Sequence, residues 1–480
     1  MLTPKFELSP ADLFAANVAH LLRSDLHAYV QRAFLELNPG EQYLAALYIR
    51  AICYQLERVE RGEIRRLLIL VAPQHLKSHC ASVAFSTWML GRDPSRKVVG
   101  ASYNADLAQG FSAQARRLIE APWHRAVFPE LALDPKKASA EELRIRNYGG
   151  GRIATSVNGT FTGKGAHLII IDDPIKAEDA FSETLRDSVY HWITTTVMSR
   201  FKNPATGAMI VVAQRLHVDD LPGRLIAAGG WEILELPAMA TAPVDIDVGE
   251  QLQWHREPGD LLHPERIGQA VLDERRREMG TAAFEAQYQQ RPAPAGGNLI
   301  RTEWFKTYDR ALPRPQYEAV VQSWDPAAVP GSSNDYSVCT TWGLIGMCID
   351  LLHVHRERHG FPDLQRAALQ LRQAWIPDLI AIESSHTGIA LRQDLNKRGF
   401  RGVRGYSPTG TKEERMAVFT PVLEQGQVRI PKDAPWLESF VSECAAFPNG
   451  KYDDQVDTMS QMLFALKRRL GELRHISRYK

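Results

Sequence analysis

The residues best suited to chemistry fall into three groups. In LILVAPQHLKSH (68–79) an apolar run passes through Pro73, Gln74, His75 and Leu76 into Lys77 and Ser78. A lysine at a strand-to-helix turn can reach the β- and γ-phosphates of a nucleotide. A hydroxyl beside it can hold Mg2+, and the helix start supplies N–H donors. The usual form of such a loop, G-x-x-x-x-G-K-[ST], has glycine where Val71 and Leu76 stand here. Glycine lets the loop curl with positive φ, so an ordinary surface lysine near a helix start is the competing explanation. The second group is HLIIIDD (167–173), an apolar run ending in two acids. Asp172 there can bind Mg2+ through water, and Asp173 can polarise an attacking water; a plain turn after a strand would look the same. The third group is acidic and dispersed: Asp325 in SWDP, Glu383 in AIESS, and Asp453, Asp454 and Asp457 in YDDQVD. Oxygen ligands of this kind suit Mg2+ or Mn2+. Two such ions about 4 Å apart can activate water and stabilise the leaving oxygen in phosphodiester cleavage.

Two single residues join the first two groups. Gln214 ends the apolar run AMIVVAQ, where a polar group can sense a γ-phosphate. Lys164 in TFTGKGAH precedes the acidic strand, where a cation can act as a charge-stabilising finger. A simple strand end and a simple loop lysine are the alternatives. His353 and His355 alternate on a strand and are not assigned as ligands.

These groups need a frame to hold them. RLLILVA (66–72), KVVGASY (97–103), RIATSV (152–157), HLIIIDD and AMIVVAQ (208–214) are apolar throughout, as strands buried on both faces of a parallel sheet are. Helical stretches between them imply an open α/β sheet. From about 240 the chain turns polar and irregular, and RPAPAGGN (291–298) reads as a linker. Beyond 300 the rhythm changes to three strands (317–327, 336–346, 348–358), a helix, the strand DLIAIESS and further helices; the short gap between the second and third strands favours an antiparallel hairpin. That order is the order of an RNase H-like domain, in which the first and fourth strands are neighbours and a late helix packs beside them. The acids at those points then converge. The expected class is α/β: residues 1–240 as a P-loop (RecA/ASCE-like) ATPase domain with a mainly parallel sheet, 241–300 as a linker or lid, and 301–480 as an RNase H-like nuclease domain with a mixed sheet.

Composition narrows the class further. A net charge of +1 supplies no global basic field, so nucleic acid would be met by local patches such as the C-terminal KRRLGELRHISRYK. The five cysteines are scattered with no C-x-x-C pair, which speaks for a reducing compartment and against a zinc or disulfide framework. Apolar runs are strand-length, too short for a membrane span, and the N-terminus lacks signal-peptide features.

An ATPase half joined to an RNase H-like half resembles the large terminase subunit of tailed double-stranded DNA bacteriophages. RGEIRRLLILVAPQHLKS, KVVGASYNADLAQGFS, GTFTGKGAHLIIIDDP, VVAQRLHVDDL, FEAQYQQRPAPAGGN, SWDPA, AIESS and YDDQVD follow in that family's order. The resemblance implies an ATP-driven motor that moves double-stranded DNA into a prohead, works as a homo-oligomeric ring on the portal protein with a small terminase subunit, and cuts concatemeric DNA. Mg2+ would accompany ATP, and Mg2+ or Mn2+, as two ions, would serve the nuclease. It further implies the host cytoplasm, transiently the portal, and absence from the mature virion. Lys77 and Ser78 match the P-loop pair, and Asp172 the Walker B acid. Asp173 stands where the family often has glutamate. Lys164 stands where many members have a finger arginine, whose bidentate fork a lysine lacks. Gln214 falls in the coupling motif. Asp325, Glu383 and Asp454 match the nuclease acids, with Asp453 and Asp457 able to share or replace the last role. Gln42 in NPGEQYL could read an adenine edge or be a plain surface residue. The competing assignments are a helicase-like ATPase-nuclease of repair or defence, which predicts helicase motifs not found in the sequence, and a catalytically degenerate terminase remnant.

Overall fold

The computed structural model describes residues 10–159, 165–292, 299–327, 336–408 and 410–477. The chain forms two compact units, Met1–Arg276 with Thr281–Pro294, and Arg277–Gly280 with Ala295–Lys480.

The first unit is built on β1 (Arg66–Val71), β2 (Lys97–Ser102), β3 (Leu133–Ala138), β4 (Glu142–Ile145), β5 (Gly151–Ser156), β6 (Leu168–Asp172), β7 (Ala208–Ala213) and β8 (Glu232–Leu236). They lie in the order β3-β4-β5-β2-β6-β7-β1-β8. From β5 to β8 every pairing is parallel; β3 and β4 add an antiparallel edge. Leu68 and Leu70 face one apolar layer while Leu67, Ile69 and Val71 face the other, so β1 is buried on both sides. This two-sided burial explains its uninterrupted apolar sequence. The edge strand β3 (LDPKKA) is largely exposed and carries no such signal. The stretch after 240 folds rather than running open. It holds a hairpin of β9 (Val244–Asp247) and β10 (Gln253–Arg256), and Ile246, Val248 and Leu262 join the same apolar cluster as β1.

The second unit carries β11 (Lys306–Tyr308), β12 (Ala319–Asp325), β13 (Ser337–Ile345), β14 (Cys348–Glu357), β15 (Leu379–Glu383), β16 (Val403–Tyr406) and β17 (Val428–Pro431), in the order β11-β17-β14-β13-β12-β15-β16. β12, β13 and β14 are antiparallel, and β15 returns parallel beside β12. The first and fourth strands of the expected motif are therefore neighbours. Helix Asp454–Ser477 covers one face through Val456, Met459, Met462 and Leu463; helices Phe361–Trp375 and His386–Lys397 cover the other through Leu364, Ala368, Leu391 and Leu395.

Candidate active sites

In the first unit β7 lies between β1 and β6, so the loop leaving β1 and the acids ending β6 meet above its end. The β1 loop turns sharply without glycine. Gln74 has φ 63° and Leu76 φ 54°, both left-handed. Leu76 is the position at which the glycine form has its second glycine, and it adopts the backbone conformation that glycine would. Such a conformation costs a non-glycine residue about 1–2 kcal/mol. Two contacts hold the turn: Leu76 packs on the apolar core, and buried His75 donates Nδ1–H to the Pro73 carbonyl at 2.8 Å. Burial lowers the His75 pKa to about 4, so the ring is neutral. The Cys80 N–H bonds the Leu76 carbonyl at 2.9 Å, and a continuous helix runs from Lys77 to Arg92, with a wide π-helical turn over His79–Phe85. Turns of this kind are frequent at functional sites.

Lys77 is buried and its Nζ lies 2.7 Å from Asp173 Oδ1. The Ser78 hydroxyl donates to Asp172 Oδ1 at 3.1 Å, and the Ser82 hydroxyl to Asp172 Oδ2 at 2.5 Å. Burial, then the adjacent Asp173, raise the Asp172 pKa to about 7, against the opposing pull of Ser82, Lys77 and Ser78. Asp173 itself has φ 45°. Behind this pair Arg152 on β5 is fully buried. It donates to the Ser82 carbonyl at 2.7 Å and the Ser86 hydroxyl at 2.8 Å, and its Nε has no partner among the described residues. Burial lowers its pKa to about 10, with Asp172 acting the other way. Sequence reasoning missed both Arg152 and Ser82. Ser82 has a readable signal, since it stands four residues after Ser78 and therefore on the same helix face; Arg152 has none. Gln214 follows β7 with its side-chain oxygen buried and unpartnered among the described residues. Gln42 is exposed in the segment before helix Leu47–Glu60. Lys164 lies outside the described residues.

In the second unit Asp325 ends β12 and Glu383 ends the adjacent β15. The third acid to meet them is Asp457, and oxygens of the three lie within 4.8 Å of one another. The resemblance puts Asp454 first among the three aspartates of YDDQVD, with Asp457 able to share or replace its role; Asp457 is the one whose carboxylate meets the other two acids. Asp454 opens the helix and is half-buried, whereas Asp457, one turn on, is on the buried face turned toward the sheet. Asp454 stays near enough to raise Asp325, and its own pKa is pushed up to about 6, chiefly by burial and then by Glu443. Asp453 is held by Lys412 Nζ at 2.6 Å. Lys412 also reaches Asp457 at 2.7 Å, and Arg415 pairs with Asp457 as well. Neither cation carries a sequence signal for this role: TKEER (411–415) reads as a helix start, with Thr411 and Glu414 forming a capping box, and says nothing of the acids its lysine and arginine reach. Burial, then Glu383, Asp457 and Asp454, hold the Asp325 pKa well above the usual carboxylate range, and burial followed by Asp457 raises Glu383. Three converging carboxyls with an excess of negative charge, all oxygen donors, fit a hard divalent cation.

Residues 68–307, half of the chain, match the family model described as "Terminase large subunit, T4likevirus-type, N-terminal". Residues 322–466 match the model described as "Terminase RNaseH-like domain". No curated protein matches the chain. Among solved structures, a large terminase from a thermophilic bacteriophage aligns at 8% identity with a TM-score of 0.50, covering 86% of this chain and 98% of that one. The HK97 bacteriophage large terminase aligns at 13% identity and TM-score 0.40, covering 92% and 98%. The large terminase nuclease from thermophilic phage G20c with bound magnesium aligns at 15% identity and TM-score 0.27, over 35% of this chain and 97% of that one.

Proposed function

The chain belongs to the terminase large-subunit family, the DNA-packaging motors with a nuclease domain, and from that premise we propose that it hydrolyses ATP with the Lys77–Asp172–Asp173 site and cuts DNA with the Asp325–Glu383–Asp457 site. The observation that carries this reading is the convergence of functional groups from distant parts of the chain at two strand-end sites.

At the first site the helix start and Lys77 bind the β- and γ-phosphates. Ser78 and Asp172 would hold the accompanying Mg2+, which when bound would neutralise charge on those phosphates. Asp173 orients the attacking water. Its ion pair with Lys77 gives this step a trigger: a γ-phosphate that takes over Lys77 frees the Asp173 carboxylate for water. Gln214, just after β7, would respond to the γ-phosphate through the N–H donors of its side-chain amide. At the second site Asp325, Glu383 and Asp457 would hold Mg2+ or Mn2+, which when bound supplies an activated water and a stabilised leaving oxygen. Lys412 and Arg415 orient Asp457. The wider reading is a ring of this subunit on the prohead portal, loaded with double-stranded DNA by a small subunit, in the host cytoplasm and absent from the finished virion.

DNA-stimulated ATP hydrolysis and Mg2+- or Mn2+-dependent plasmid cleavage test the proposal in the full chain. Cleavage lost in Asp325→Ala with ATP hydrolysis retained is the expected pattern. Cleavage undiminished in that variant would remove the nuclease assignment.

A further inference from the structure

A second cluster of ligand-type side chains lies at the end of β14, on the opposite face of the nuclease sheet from the acids. Side chains alternate along a strand, so Trp324 and Asp325 point to opposite faces. His355 shares the face of Trp324: it is in register with Cys339, which is in register with Trp324, and the Trp324 and His355 rings are 6.1 Å apart. Trp324 packs with Leu364 and Ala368 of helix Phe361–Trp375, whereas Asp457 belongs to the helix covering the other face.

The sequence here is His355-Arg356-Glu357-Arg358-His359-Gly360. His355 and Glu357, two apart on a strand, project to the same side. His359 folds back from the turn that leads into the helix starting at Phe361. The two imidazoles are nearly parallel, 11° apart, with Nε2 atoms 2.8 Å from each other. A Glu357 carboxylate oxygen lies 3.7 Å from His359 Nε2, and donor atoms of all three residues lie within 4.8 Å. The flanking Arg356 and Arg358 are drawn away, both lying over the Tyr336 ring.

We propose that His355, Glu357 and His359 bind one divalent transition-metal ion of the zinc type, with water as fourth ligand, as a clamp separate from the acidic triad. Two imidazole nitrogens and one carboxylate suit Zn2+ rather than Mg2+. Tetrahedral zinc asks for donors about 3.3 Å apart, given bonds of about 2.0–2.1 Å, and the observed spacings from 2.8 Å upward bracket that value. The ion would tie the end of β14 to the turn before helix Phe361–Trp375. The acid site, with only oxygen donors, suits the harder cations instead.

The test uses the full chain carrying Asp325→Ala, which disables the acid site as a competing sink. After chelator treatment and dialysis against micromolar Zn2+ with excess Mg2+, elemental analysis should find about one zinc per chain. Cobalt substitution should give the visible absorption of a tetrahedral nitrogen–oxygen site. Adding His355→Ala and His359→Ala should abolish both signals. The milder His359→Gln, with circular dichroism matching its parent, should bind zinc at least about tenfold more weakly. A parent chain that retains no zinc would overturn the proposal, leaving a hydrogen-bonded histidine pair. So would equal zinc content with and without the two histidines.

Discussion

The two acidic sites face opposite charge problems. At the ATPase site the protein brings its own compensation. Asp172 accepts hydroxyls from Ser78 and Ser82, and Asp173 is paired with Lys77. At the nuclease site the cations Lys412 and Arg415 serve Asp457, while Asp325 and Glu383 face one another, both with raised pKa values. The first arrangement has a cation ready to transfer from a carboxylate to a phosphate. The second is short of positive charge and calls for a metal to complete it. The two sites also differ in how they are assembled: the first is built around the loop after β1 and the helix it leads into, set against the end of β6, while the second draws its three acids from two strands and a helix far apart in sequence.

This contrast is most vulnerable at Lys77. Lys77→Ala should lower DNA-stimulated ATP hydrolysis by about 100-fold or more while leaving metal-dependent plasmid cleavage intact; an unchanged ATPase rate would mean that the lysine serves only Asp173. Next, Asp457→Asn should reduce cleavage by about 100-fold, whereas Asp454→Asn should cost no more than about tenfold. The reverse order in a plasmid assay would return the metal to Asp454 and undo the helix-register argument.

A smaller effect is proton coupling at the ATPase site. Asp172 has a folded pKa of about 7, above its ordinary value of 3.8. The nucleotide-free fold therefore holds a proton that the unfolded chain has lost. This group's contribution to stability is complete below about pH 3.8 and is lost as the pH rises to about 7. Metal-bound nucleotide needs the ionised carboxylate, so its binding at about pH 6 should release close to one proton, and at about pH 8 almost none. Calorimetry in buffers of different ionisation enthalpy measures this, and Asp172→Asn should abolish the difference. The smallest effect concerns the loop. Gln74 is exposed and left-handed, so Gln74→Gly relieves strain without losing packing. Thermal unfolding should show stabilisation of up to about 1 kcal/mol, and a destabilised variant would mean the Gln74 side chain holds the turn.

Much of the architecture is legible in the sequence, for a definable reason. β1, β2, β6 and β7 are buried on both faces, and only apolar residues satisfy that environment. Strands with one exposed face or a short span leave no such trace: β8 (EILEL) has exposed glutamates, and β16 (VRGY) has four residues, two of them exposed. The antiparallel pairing of β13 with β14 is legible because Gly346 and Met347 leave room for nothing but a tight turn.

Residue types and their order already settle which groups are chemically able to act: a lysine and serine after one buried strand, two acids after another, and a dispersed set of carboxylates in the second half. These are local properties of the chain, and two-sided burial imprints the strands that present them. Packing in three dimensions settles which of them meet. It gives Leu76 a left-handed backbone in place of glycine, because core contacts around the turn outweigh a local strain of about 1–2 kcal/mol. It selects Asp457 over Asp454, because the packing of Val456, Met459 and Leu463 against the sheet sets the rotation of the helix and hence which acid points inward. A choice of one turn in a helix is invisible to residue type, since both residues are aspartate, and is made only when the helix has a surface to pack on.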